Sequence, residues 1–212
     1  SVVKSNYITM EAKQIPGVPV QKKGAFHDTE SKRSFESEEL VANHFEILKD
    51  RFFSIHRWKE YGGDLSADFR LFDCDGSYVE RMPTKGDYIR IDIPGPGDIK
   101  AKGYDWVEVM KIDDRCYGDE LERYLLVCRP SAVPQSNKEH IAHFYARESS
   151  SSFIISRGID YIKAGIYGRN EVPNISRTGF FGRIRNLLVS IGGFFQLSKI
   201  QWKSLADGFL DF

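Results

Sequence analysis

Arg169, Asn170 and Glu171 stand side by side in GRNEVPN, residues 168–174, where a strand is about to end at Pro173. A cation, an amide and a carboxylate in a row could hold a polar ligand or pass a proton. The simpler reading is a polar strand exit with an internal ion pair. Arg169 and Glu171 are still the first choice for a site, with Asn170 between them and Tyr167 just before. Tyr104 and Trp106 follow a Gly-Pro loop, residues 94–97, and aromatics beside such a loop can stack on a ligand or peptide. Packing at a core or rim is the commoner use.

Other candidates carry less. His140 and His143 form an HIAH pair, an offset that suits a metal on a helix but splits the two rings across a strand. No third ligand lies nearby. Asp73 and Asp75, or Asp113 and Asp114 with Asp119 and Glu120, could attract calcium, yet neither set has the spacing of an EF-hand loop. The first reads as hairpin chemistry and the second as an exposed loop. The serines at 149–152 lack a GxxxxGK[ST] motif, and there is no GxSxG elbow. Cys128 falls within an expected strand, where a buried, inert thiol is the natural reading. No metal or cofactor is expected from these residues.

Composition narrows the classes. The 212 residues are 41% hydrophobic and 28% charged, which is globular and allows a substantial core. Lys plus Arg and Asp plus Glu number 30 each, so the basic excess of a nucleic-acid binder is missing. Three cysteines without CxxC spacing argue against a disulfide framework and favour a reducing, cytoplasmic setting. The apolar stretch at 180–195 is interrupted by Arg183, Arg185 and Asn186, so no membrane span is expected.

The elements that must position the candidates follow from periodicity. Val41, Phe45, Leu48 and Phe52 recur at helical spacing within 35–53, with acidic residues in the first turn. From 67 to 167 the pattern alternates. Asp75-Gly76 predicts a type I′ hairpin setting Phe72 against Val79 and Phe69 against Met82. Strands are expected at 88–93, 105–112, 123–129, 143–147, 152–157 and 161–168. A helical stripe, Phe180, Ile184, Leu187, Leu188, Ile191 and Phe195, weakens at Gly192-Gly193. A second helix is capped by Ser198 and carries Trp202, Leu205, Ala206 and Phe209. The expected core includes Phe45, Leu48, Ile89, Ile91, Val107, Val109, Leu125, Ile155, Ile166, Leu188 and Ile191.

The expected fold is therefore α+β: a meandering antiparallel sheet of about seven to eight strands, helix-grip or partly closed barrel, with an N-terminal helix and C-terminal helices packed on it. Residues 1–33 read as a surface arm, with one short strand near 18–20, and 34–212 as a single domain. This order of elements over 35–210 resembles the helix-grip architecture of START-type ligand-binding domains. The single first helix and the weakened last helix depart from that pattern. The resemblance implies a cavity between sheet and last helix that binds an apolar or aromatic small molecule, and it transfers no residues. A non-enzymatic binding domain is the leading expectation. The alternatives are a protein-interaction or assembly component, acting through a protein partner or a homo-oligomer, and an enzyme using Arg169 and Glu171.

Overall fold

Apolar side chains at every second position make the middle of the chain a sheet. The computed structural model describes residues 11–64, 66–92, 104–136, 140–174 and 188–212, with side chains 188–198 outside that description. Among these residues seven strands are formed: β1 (Ala25–Ser34), β2 (Asp68–Phe72), β3 (Tyr88–Asp92), β4 (Asp105–Asp113), β5 (Glu122–Pro130), β6 (Ser150–Arg157) and β7 (Tyr161–Glu171). Their order is β1-β7-β6-β5-β4-β3-β2, and every neighbouring pair is antiparallel. The sheet is open, with β1 and β2 at its two ends.

The described residues also form helices α1 (Glu38–Phe53), α2 (Trp58–Gly62) and α3 (Leu188–Leu210), with a 3-10 turn at Ile55–Arg57. Ser37 caps α1 by accepting from the Leu40 N–H at 3.3 Å, and Glu38 and Glu39 sit at its positive end. The α1 side chains expected to face inward, Val41, Phe45, Leu48 and Phe52, are all buried. They join Phe69, Leu71, Ile89, Val107, Val109, Phe153, Ile155, Ile162, Ile166 and Phe209 in one core on the inner face of the sheet. Trp58 is its centre: fully buried, donating Nε1–H to the Phe52 carbonyl at 3.0 Å, with Phe69, Phe153 and Phe209 rings 5.0–5.6 Å away. Burying such side chains contributes about 1.5–3 kcal/mol each. Arg51 and Arg33 fasten the end of α3 by donating to the carbonyls of Gly208, Leu210, Asp211 and Phe212. Among the described residues no helix is long and apolar enough to cross a membrane.

Several local expectations are corrected. The N-terminal strand is not at 18–20 but at Ala25–Ser34, so the end of the presumed arm is an edge of the sheet paired with β7. The Asp75-Gly76 turn is not type I′, because only Gly76 has positive φ (82°). The Asp73 carboxylate accepts from the N–H groups of Asp75 and Ser77, and the turn closes with Phe72 opposite Tyr78. Phe69 pairs instead with Ile91. Residues 143–147 form no strand; Tyr145 makes one isolated bridge to Pro173. Helix α3 runs unbroken through Gly192-Gly193, and Ser198 lies within it and not at its start. Packing of α3 on α2 and β1 outweighs the cost of two glycines, about 1 kcal/mol each. Of the expected core, Ile91 is only half-buried, while the Leu188 and Ile191 side chains, residues 180–187 and the loop at 94–97 lie outside the described residues.

Candidate functional site

Strand β7 contains one extra residue, and it rearranges the candidate site. His27 pairs with Gly168 and Ala25 with Glu171, so Phe26 alone faces both Arg169 and Asn170. This is a β-bulge, with Asn170 in the left-handed region at φ 54°, where asparagine is better tolerated than most residues. The extra residue resets the alternation of side chains. Arg169 stays on the outer face with Tyr167, while Glu171 returns to the inner face with Gly168 and His27. The three adjacent residues expected to act together are divided by the sheet.

Arg169 is almost completely buried and fully engaged. Its guanidinium donates to the carbonyls of His27 (3.0 Å), Gly168 (2.8 Å) and Lys13 (2.8 Å), and pairs with Asp28 at 2.6 Å. Asn170 is a second anchor. Its Oδ1 accepts from the Lys22 and Lys23 N–H groups, its Nδ2 donates to the Val20 carbonyl, and its own N–H donates to Gln21. Both residues hold the N-terminal segment against the outer face. There Ile15 and Val18 pack on Leu125, Val127, Ile154 and Tyr167. The Arg123 guanidinium donates to the Pro16 carbonyl at 2.6 Å. A cleft of about 120 Å³ opens beside this strap, between Ile15, Pro16, Tyr117, Arg123, Lys163 and Tyr167.

Glu171 has different company. Its Oε1 lies 3.4 Å from His27 Nε2, and both side chains are buried. The two groups meet over Gly168, in the space that a Cβ at that position would fill. His27 Nδ1 faces the Thr29 hydroxyl at 3.2 Å, and Nε2 is buried with no hydrogen-bond partner. The imidazole stacks on Trp202 of α3 at 6.2 Å between centroids, and Trp202 in turn meets Phe69 and Phe153. Burial, assisted by the Arg169 charge, holds His27 down at about 4. Burial pushes Glu171 up to about 7 against the pull of Lys199 and Arg169. Burial and the Glu171 charge also raise Tyr145.

Between about pH 4 and about pH 7 the imidazole is therefore unprotonated and the carboxyl protonated. The pair is neutral throughout that window, the opposite of a salt bridge. Such a pair can donate and accept hydrogen bonds next to an aromatic wall. Sequence reasoning named Glu171 but missed His27, Thr29 and Gly168. The available signal was weak: the alternation of His27 and Thr29 within a polar stretch.

The other expected residues lie elsewhere. The Tyr167 hydroxyl donates to Glu30 at 2.7 Å on the outer face. Trp106 and Tyr104 are at the far end of the sheet, where Trp106 meets Phe72 at 5.0 Å and Arg90 lies 4.1 Å over the Tyr104 ring. His143 Nδ1 accepts from the Tyr145 N–H at 2.9 Å. Among the described residues no cluster of three His, Cys, Asp or Glu could hold a metal ion. Asp113 is occupied by Arg115 and Lys111.

No protein-family model matches the chain, and no curated protein matches it. Among solved structures, it is similar to the hypothetical protein jhp0584 from Helicobacter pylori, with a TM-score of 0.43, 11% identity and 98% of each chain covered. It is also similar to Ara h 8.0201, with a TM-score of 0.29, 11% identity, and coverage of 85% of this chain and 99% of that one. Likeness at this level carries no argument about function.

Proposed function

We propose that this chain is a binding domain that holds an apolar or aromatic small molecule on the inner face of the sheet, beside α3. One observation carries the reading. A buried, neutral His27–Glu171 pair with an unsatisfied nitrogen sits at the foot of an aromatic wall made by Trp202, Phe69 and Phe153. Apolar walls with a few convergent polar groups are what small-molecule sites are made of. Burial of both titratable groups disfavours charge there, which suits an apolar ligand. Three unpaired thiols, Cys74, Cys116 and Cys128, fit a reducing compartment, and a cytoplasmic location is part of the proposal. The test is titration with a panel of apolar dyes and lipids, read by tryptophan fluorescence in the native chain and in Trp202→Phe. Saturable quenching that Trp202→Phe removes supports the reading. A flat response across the panel ends it.

A second reading, a protein-interaction component, is favoured by one feature of the outer face. Tyr78 and Tyr104 are exposed beside Arg70 and Arg90 at the β2–β4 end. Aromatics mixed with arginine are typical of interaction hot spots. Light scattering and pull-down separate this reading from the first.

A further inference from the structure

Thr29, His27 and Glu171 form a line of three groups, each able to reverse its hydrogen-bonding role. The Thr29 hydroxyl can donate or accept, neutral imidazole can carry its proton on either nitrogen, and a carboxyl is a donor or an acceptor according to ionisation. The distances place them in sequence: 3.2 Å from Thr29 Oγ1 to Nδ1, then 3.4 Å from Nε2 to Glu171 Oε1. The second gap is too long for a good hydrogen bond, and Nε2 is left buried without one. An oxygen at the apex of a triangle on Nε2 and Oε1 would reach both at about 2.8 Å.

From this geometry, and resting on the binding reading above, we infer that Thr29, His27 and Glu171 form a reversible relay that receives the hydroxyl group of an apolar alcohol in preference to an amine or a carboxylate. With Glu171 protonated, the ligand oxygen accepts from the carboxyl and donates to Nε2, while Nδ1–H donates to Thr29. With Glu171 ionised, every bond turns round: Thr29 donates to Nδ1, Nε2–H donates to the ligand, and the ligand donates to the carboxylate. A hydroxyl satisfies both states. An amine cation is matched only by ionised Glu171, and a carboxylate only by protonated Glu171.

The surrounding charges do not select one state. Lys199 of α3 and Arg169 of β7 draw Glu171 toward ionisation, while burial resists it. Asp28 of β1 acts on His27 against Arg169 and Lys199, and Tyr145, before β6, feels the Glu171 charge. The site therefore works on both sides of about pH 7.

The test compares 1-naphthylmethanol, 1-methylnaphthalene, 1-naphthylmethylamine and 1-naphthoate by ligand-observed NMR at about pH 6 and about pH 8, either side of Glu171 titration. The alcohol is expected to bind about fivefold tighter than the hydrocarbon at both values, the worth of one net hydrogen bond. The amine should improve and the carboxylate weaken as pH rises. Thr29→Val, a near-isosteric change, removes the partner of Nδ1 in both states. It should reduce the alcohol's advantage at both pH values while leaving the affinity for the hydrocarbon within about twofold of native, a pattern that general destabilisation does not produce. Equal binding of alcohol and hydrocarbon overturns the relay while leaving the binding domain standing, as does a preference for the amine or carboxylate at both pH values. Failure of all four probes to bind overturns both.

Discussion

His27 Nε2 stands 3.4 Å from Glu171 Oε1 on the inner face, and the two titrate in the reverse of the order an ion pair requires. The imidazole loses its proton at about 4, before the carboxyl loses its own at about 7. Stability must depend on pH in a way that single substitutions can isolate. For Glu171 the folded value lies above the unfolded 4.5, so its contribution is complete below that value and is lost as pH rises through about 7. For His27 the folded value lies below 6.5, so its contribution is present above 6.5 and is lost as pH falls through about 4. Glu171→Gln removes the first effect alone. Chemical denaturation should find the variant about 2–3 kcal/mol better, relative to the native chain, at about pH 8 than at about pH 5. A constant difference would contradict the burial of an ionisable Glu171.

Gly168 provides the floor on which the pair meets. A methyl group there collides with Glu171 Oε1 and with the His27 ring. Gly168→Ala should cost about 1–3 kcal/mol by thermal or chemical unfolding and should displace both side chains. An unchanged His27 ring signal in NMR would show that the two groups do not share this space.

Arg169 tests the division of the bulge. It is buried against Asp28, so Arg169→Met leaves a poorly compensated carboxylate and should cost about 3–5 kcal/mol. Its guanidinium bonds to Lys13 on the outer face, away from the proposed ligand. At a temperature where the variant is folded, apolar dye affinity should stay within about twofold of native, a difference of about 0.4 kcal/mol. A large loss of affinity would return Arg169 to the site.

Asn170 tests the strap. Asn170→Gly keeps the left-handed backbone but removes the bonds to Val20, Lys22 and Lys23. Trypsin should then cut after Lys22 or Lys23 several-fold faster, because opening that segment no longer breaks those bonds. Unchanged cleavage would mean that the segment is held elsewhere.

Much of the fold is legible in the residues because burial writes a period. The α1 stripe of Val41, Phe45, Leu48 and Phe52 and the alternation of Ile89, Val107, Val109 and Ile155 both become core. The errors fall where a side chain bonds to backbone. Asp73 takes two N–H groups and lengthens the hairpin turn by a residue. Residues 143–147 read as a strand, but Asn174 donates to the Ile141 and His143 carbonyls at its start. The site was harder to read than the fold. A bulge at Asn170 leaves no trace in hydropathy, yet it decides that Glu171 faces His27 and Arg169 does not. His27 and Glu171 are also remote in sequence and meet only because β1 pairs with β7.

The most direct measurement is a map of backbone and indole amide shifts as 1-naphthylmethanol is added to ¹⁵N-labelled protein. The account predicts saturable shifts that concentrate at His27, Gly168, Glu171 and the Trp202 indole. Shifts confined to Tyr104, Trp106 and their neighbours on the outer face, or none that saturate, would contradict it.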